Sequence, residues 1–171
     1  MDARQASLKL LLVIDDSSAS KRAIAYVARM LGRRKGVHLC VAHLLPPLPS
    51  RLLEFGGSED PDEETRLDAG LKMRQARWLA EAKKTAQRAL AAANTTLRNA
   101  GVPRSAIDVQ FSDAIAGGGI ANRLLEVART SNCDTVVVGR ESLSWFREVV
   151  QGDLAEELVR RGQGLTIWVV E

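Results

Sequence analysis

The chain has 171 residues, 46% of them hydrophobic and 26% charged, with a formal net charge of +3. A chain of this length buries roughly 70% of its unfolded surface in one core, so no staple is required, and an aromatic content of only 4% argues against a base-stacking platform for single-stranded nucleic acid. Lysines and arginines are scattered, and the one tight cluster, Arg33-Arg34-Lys35, falls where a helix would end and complements its dipole rather than gripping DNA.

The N-terminal MDARQASLK is polar, and the apolar run from Leu10 to Ile14 is far too short for a signal peptide's hydrophobic region or a membrane span. Cys40 and Cys133 make no metal-ligand spacing and read as buried thiols of a reducing compartment. The expectation is a cytoplasmic protein without membrane insertion.

Along the chain, apolar runs rich in β-branched residues alternate with helix-period segments, the pattern of right-handed βαβ units and a parallel sheet covered on both faces. Strands are predicted at residues 9–14, 37–44, 106–111, 135–138 and 165–170, with helices near 18–34, 65–99, 120–130 and 153–161. The first helix carries the stripe Ala23, Ile24, Val27, Ala28 and Leu31, with Ser17 or Ser18 as N-cap and Gly32 near its end. The second carries Leu71, Trp78, Ala82, Ala86, Ala89, Ala93 and Leu97 and is too long for a sheet of short strands to cover, so either Gly70 breaks it or its first turns project. Before it, residues 46–64 (PPLPSRLLEFGGSEDPDEE) read as a mobile acidic surface loop without fixed secondary structure inside a single domain of residues 1–171.

The stretch VIDDSSAS, Val13 to Ser20, ends an apolar strand in two carboxylates, as either a phosphoacceptor receiver domain or a nucleotide-binding α/β domain would. A receiver also needs a phosphorylatable acid after its third strand and a lysine after its fifth. Here Asp113 lies beyond a long insert and the fifth strand ends TIWVVE without lysine, which excludes that chemistry. His38 and His43 share a strand at odd spacing, so they point to opposite faces and cannot jointly hold a metal. His43 reads as a neutral, internally satisfied histidine. Gly117-Gly118-Gly119 precedes a helix but lacks the Gly-Lys-Ser/Thr of a phosphate loop. The remaining candidate is VVVGRESLSWFREVVQGDLAEEL after the fourth strand, with Gly139 and Gly152 at its edges, where an open parallel sheet binds ligands outside its strand ends.

Taken together, LLLVIDDSSASKRAIAYVARM, VHLCVAHLL, GGGIANRLLEVARTSNCDTVVVGR and GDLAEELVRRGQGLTIWVV resemble the universal stress protein family over residues 9–170, apart from a weak stretch at 46–65. The resemblance implies an α/β fold of the adenine nucleotide alpha-hydrolase-like kind: a single open five-stranded parallel sheet, order 3-2-1-4-5, with helices on both faces. It also implies a homodimer through the fifth strand, between Leu165 and Val170. ATP-binding members carry G-x2-G-x9-G-S/T after strand four. Gly139 and Gly152 match it, Ser142 replaces the middle glycine and Asp153 replaces the hydroxyl residue. The family's strand-one acid falls on Asp15 and its adenine-side contact on Leu44, while neighbouring backbone contacts fall on Val13, Val138 and Leu154. Asp16 is expected to face solvent and help start the first helix. A serine fits the glycine position only if φ stays negative or some strain is tolerated, and Asp153 is a good N-cap that occupies the end of a helix otherwise open to phosphate.

The function so implied is a regulatory or binding module, not an enzyme, holding ATP or another adenine nucleotide, with magnesium where a carboxylate serves as its ligand. The alternative is a nucleotide-free dimer that contacts a protein partner through its surface or acidic loop. No catalytic or metal-ligating residue is predicted.

Overall fold

The computed structural model describes residues 7–53, 57, 59–113, 119–143 and 153–171, the side chains of Ser112 and Asp113 apart. In chain order the elements are β1 (Leu8–Ile14), α1 (Ser18–Leu31), β2 (Val37–Leu45), a 3-10 turn (Ser50–Leu52), α2 (Pro61–Asn99), a second 3-10 turn (Arg104–Ala106), β3 (Ile107–Asp113), α3 (Ile120–Thr130), β4 (Thr135–Gly139), α4 (Leu154–Arg161) and β5 (Thr166–Val170). The five strands form one parallel sheet in the order β3-β2-β1-β4-β5. Leu10 to Ile14 are 0% exposed, because β1 is the central strand and both of its faces are covered.

Strand alternation divides the core in two. Leu11, Val13, Ala42, Leu44, Val136 and Val138 face α3 and α4, while Leu10, Leu12, Ile14, Val41 and Val137 face α1 and α2. His38 is exposed and His43 is buried. Both cysteines are buried thiols.

Helix α1 starts where Ser17 Oγ accepts from the Ser20 N–H at 3.1 Å. It ends at Leu31 rather than at residue 34, because Gly32 is packed against the end of α2: a Cβ there would sit 2.2 Å from the Ala100 carbonyl oxygen. Helix α2 has 39 residues, about 58 Å at the helical rise. It runs through Gly70 without a break, since one glycine lowers helix stability by only about 1 kcal/mol. Its first turns, 61–67, are exposed, and only Leu71, Ala86, Leu90, Ala93 and Leu97 are buried. Trp78, Ala82 and Ala89 are half-buried.

The predicted loop is shorter than 46–64. Residues 61–64 are helical because Asp60 caps the Asp62 N–H at 3.0 Å, Pro61 sits in the first turn, and Asp62, Glu63 and Glu64 complement the helix dipole. Leu52 is buried, and its carbonyl accepts from Gln75 Nε2 at 2.8 Å, which fastens the turn to α2. Among the described residues no helix is long and apolar enough to cross a membrane.

Candidate functional site

β1 delivers Asp15 to the carboxyl edge of the sheet, at the boundary between β2 on one side and β4 on the other, where strand order reverses. Its carboxylate is 9% exposed and fully engaged. Oδ1 accepts from the Ser17 N–H at 3.0 Å, from Ser17 Oγ at 2.5 Å and from Ser20 Oγ at 2.6 Å. Oδ2 accepts from the Leu143 N–H at 2.6 Å. The Asp15 N–H in turn donates to Ser20 Oγ at 2.8 Å. One carboxylate thus ties together the end of β1, the start of α1 and the chain leaving β4. Asp16, one residue on, is exposed.

β4 ends in a tight turn in which the Ser142 N–H donates to the Gly139 carbonyl at 3.0 Å. Gly139 is required there by α1: a Cβ would lie 2.6 Å from both the Ala19 carbonyl oxygen and Ser142 Oγ. Ser142 is buried, pairs with Ser20 Oγ at 3.1 Å and keeps φ negative, so it replaces a glycine without backbone strain. The strain appears one residue later. Leu143 has φ 60°, a left-handed conformation that disfavours a residue with a Cβ by roughly 1–2 kcal/mol. The Asp15 hydrogen bond and a side chain only 1% exposed hold it there.

That side chain joins Val13, Leu44, Val138 and Leu154 in the core on the α3/α4 face, and none of these is more than 4% exposed. Val13, Leu44, Val138 and Leu154, predicted as nucleotide contacts, are therefore core residues on this face. Asp153 is the N-cap of α4, accepting from the Ala155 N–H at 2.9 Å. Gly152 lies outside the described residues.

On the other face, toward α2, a cavity of about 430 Å³ opens beside the same strand ends, within the range typical of small-ligand pockets. Its walls are Asp15, Asp16 and Ser17 after β1, His43, Leu44 and Pro46 from β2 and beyond, and Trp78, Glu81, Ala82 and Thr85 from α2. Asp15 and Leu44 are thus the two predicted site residues that line it. His43 is 4% exposed, and neither ring nitrogen has a hydrogen-bond partner among the described residues, which corrects the expectation of an internally satisfied histidine. Burial holds its imidazole below the ordinary value, against the opposing charges of Asp16 and then Asp15, so the ring is favoured neutral. Trp78, Glu81 and Thr85 escaped the sequence reading because the stripe that contains Trp78 was assigned to the core. The signal was the excess length of the helix, which carries part of that stripe past the sheet edge.

Among the described residues no cluster of three His, Cys, Asp or Glu could hold a metal ion. An open parallel sheet of this order, with helices on both faces, defines a doubly wound α/β domain. The sequence model of the universal stress protein family matches residues 7–164, and the chain belongs to that family. A universal stress protein solved in complex with cAMP is similar in structure with a TM-score of 0.60 at 19% identity, over 97% of this chain and 98% of that one. A family protein from Burkholderia pseudomallei gives 0.61 at 15% identity, over 99% and 98%. A universal stress protein from Archaeoglobus fulgidus in complex with dAMP gives 0.54 at 16%, over 97% and 99%. No curated protein matches the chain.

Proposed function

We propose that the protein is a regulatory binding module that takes an adenine-containing ligand in the cleft beside Asp15 and Leu44, with no catalytic step of its own. The observation that carries this reading is the cavity itself: it opens at the carboxyl ends of β1 and β2, where an open parallel sheet binds ligands, and is large enough for a base and sugar. The complexes of two similar structures with cAMP and dAMP support the choice of adenine. The apolar walls Pro46 and Ala82, with the indole of Trp78, suit a purine ring. Mass spectrometry of ligand released from the purified protein, with calorimetric titration of adenosine, AMP and ATP, tests the reading. Failure of all three to bind at millimolar concentration would overturn it.

A second reading is favoured by the opposite face, where the predicted contacts Val13, Leu44, Val138 and Leu154 are buried in the core with Leu143 and Asp153 caps α4. It is a nucleotide-free dimer acting through a protein partner. In either reading we place the dimer along β5, an edge strand whose outer backbone groups lack a neighbour among the described residues.

A further inference from the structure

We propose that the ligand of the α2-side cavity is a phosphate-free ring compound of the nucleoside class, and that α2 supplies its binding wall. This inference rests on the adenine-ligand reading above and narrows the ligand. Three observations carry it.

Charge comes first. Among the described residues the cavity walls present the carboxylates of Asp15, Asp16 and Glu81 and neither a lysine nor an arginine. A phosphate entering here would meet like charge with no cation among these described walls to offset it. The capped N-terminus of α4 is no better, since the Asp153 carboxylate stands there and already takes the Ala155 N–H.

Next comes the orphan histidine. His43 stands on β2 opposite Ile14 of β1, lines the cavity, and among the described residues has no partner for either ring nitrogen at 4% exposure. A buried polar group without a partner lowers stability, and such sites persist where a ligand supplies the missing bond. A neutral imidazole both donates and accepts, which matches the edge of a nucleobase better than a phosphate oxygen.

Finally, α2 adds a surface that the strand ends lack. Trp78 offers an aromatic face, and Glu81 and Thr85, one and two turns further on, offer an acceptor and a hydroxyl for ring amino and sugar hydroxyl groups.

Calorimetric titration of the whole protein with adenosine, AMP and ATP, without magnesium, tests the inference. Adenosine should bind at least about tenfold more tightly than ATP, with AMP between them. His43→Leu should weaken adenosine by about tenfold or more yet raise the melting temperature of the free protein, a pairing that a merely structural histidine would not give. Glu81→Lys, at an exposed helix position, should move the preference toward ATP by about tenfold. If ATP binds as tightly as adenosine, this inference fails while the adenine-ligand reading stands. If none of the three binds, that reading fails and takes the inference with it.

Discussion

The Asp15 carboxylate accepts a hydrogen bond from the backbone N–H of Leu143 at 2.6 Å, joining residues 128 positions apart. With its bonds to Ser17 and Ser20 it closes the site from within. Asp15→Ala should orphan the buried Leu143 N–H and release a residue held at positive φ, lowering stability by about 3 kcal/mol. For a domain of this size that is a drop of roughly 6–12 °C in Tm. Asp15→Asn keeps an acceptor and should lose about half as much. Thermal denaturation followed by circular dichroism measures both, and an Asp15→Ala variant as stable as wild type would show that the carboxylate is free for ligand.

Much of this arrangement is legible in the chain. β1 reads as a continuous apolar run because a central parallel strand is buried on both faces, and all five strands lie within a residue or two of where β-branched runs place them. The resemblance to a known family supplied strand order, which periodicity alone cannot. The start of α2 was less legible, since Asp60-Pro61-Asp62-Glu63-Glu64 is at once a disordered-looking acidic run and an efficient helix start. Asp15 and Leu44 were named, but their partners were not. Leu143 follows a non-glycine turn and carries no sequence mark of its positive φ, while the unpaired state of His43 depends on what the neighbouring elements fail to offer.

His43 also predicts a pH dependence. Its folded-state pKa lies below the ordinary 6.5, so the unfolded chain takes up the proton first. The contribution is fully present above about pH 6.5 and is lost as pH falls toward the folded-state value, at up to about 1.4 kcal/mol per pH unit. Asp15 and Asp16 face the ring from the end of β1, and Glu81 lines the same cavity from α2. Urea unfolding of wild type and His43→Leu between pH 7.5 and pH 5 isolates the histidine, because other groups cancel in the difference. Wild type should lose stability faster on acidification, and parallel profiles would show that the buried ring does not resist protonation.

Edge strand β5 offers a clean test of dimerisation. The Thr166 N–H donates inward to Asp134 and the Val170 carbonyl accepts inward from Arg140, so alternation turns the backbone groups of Ile167 and Val169 outward. Trp168 is a poorer target for mutation, since its half-buried ring packs edge-on to Tyr26 at 6.2 Å. Val169→Pro removes an outward donor while sparing the bonds to β4, a substitution that edge strands tolerate. Light scattering after size exclusion should find a folded monomer for Val169→Pro and a dimer for wild type. A dimer in both would move the interface away from this strand.

Asp153 separates the helix-capping role from any dealing with phosphate. Its carboxylate accepts from the Ala155 N–H at 2.9 Å. Serine caps nearly as well, so Asp153→Ser should leave stability within a few tenths of a kcal/mol, whereas Asp153→Ala should lose about 1 kcal/mol. The ligand effect runs the other way. A phosphate approaching the start of α4 meets a negative charge that serine lacks, so Asp153→Ser should tighten ATP by about tenfold if the repulsion amounts to about 1.4 kcal/mol. Adenosine, having no phosphate, should bind both proteins alike. Magnesium reverses the sign for ATP if the carboxylate serves as its ligand, so the titrations are run with and without the ion. An equal change for adenosine and ATP would mean that Asp153 acts through the shape of the cleft, because charge repulsion at the phosphate can favour only the phosphorylated ligand.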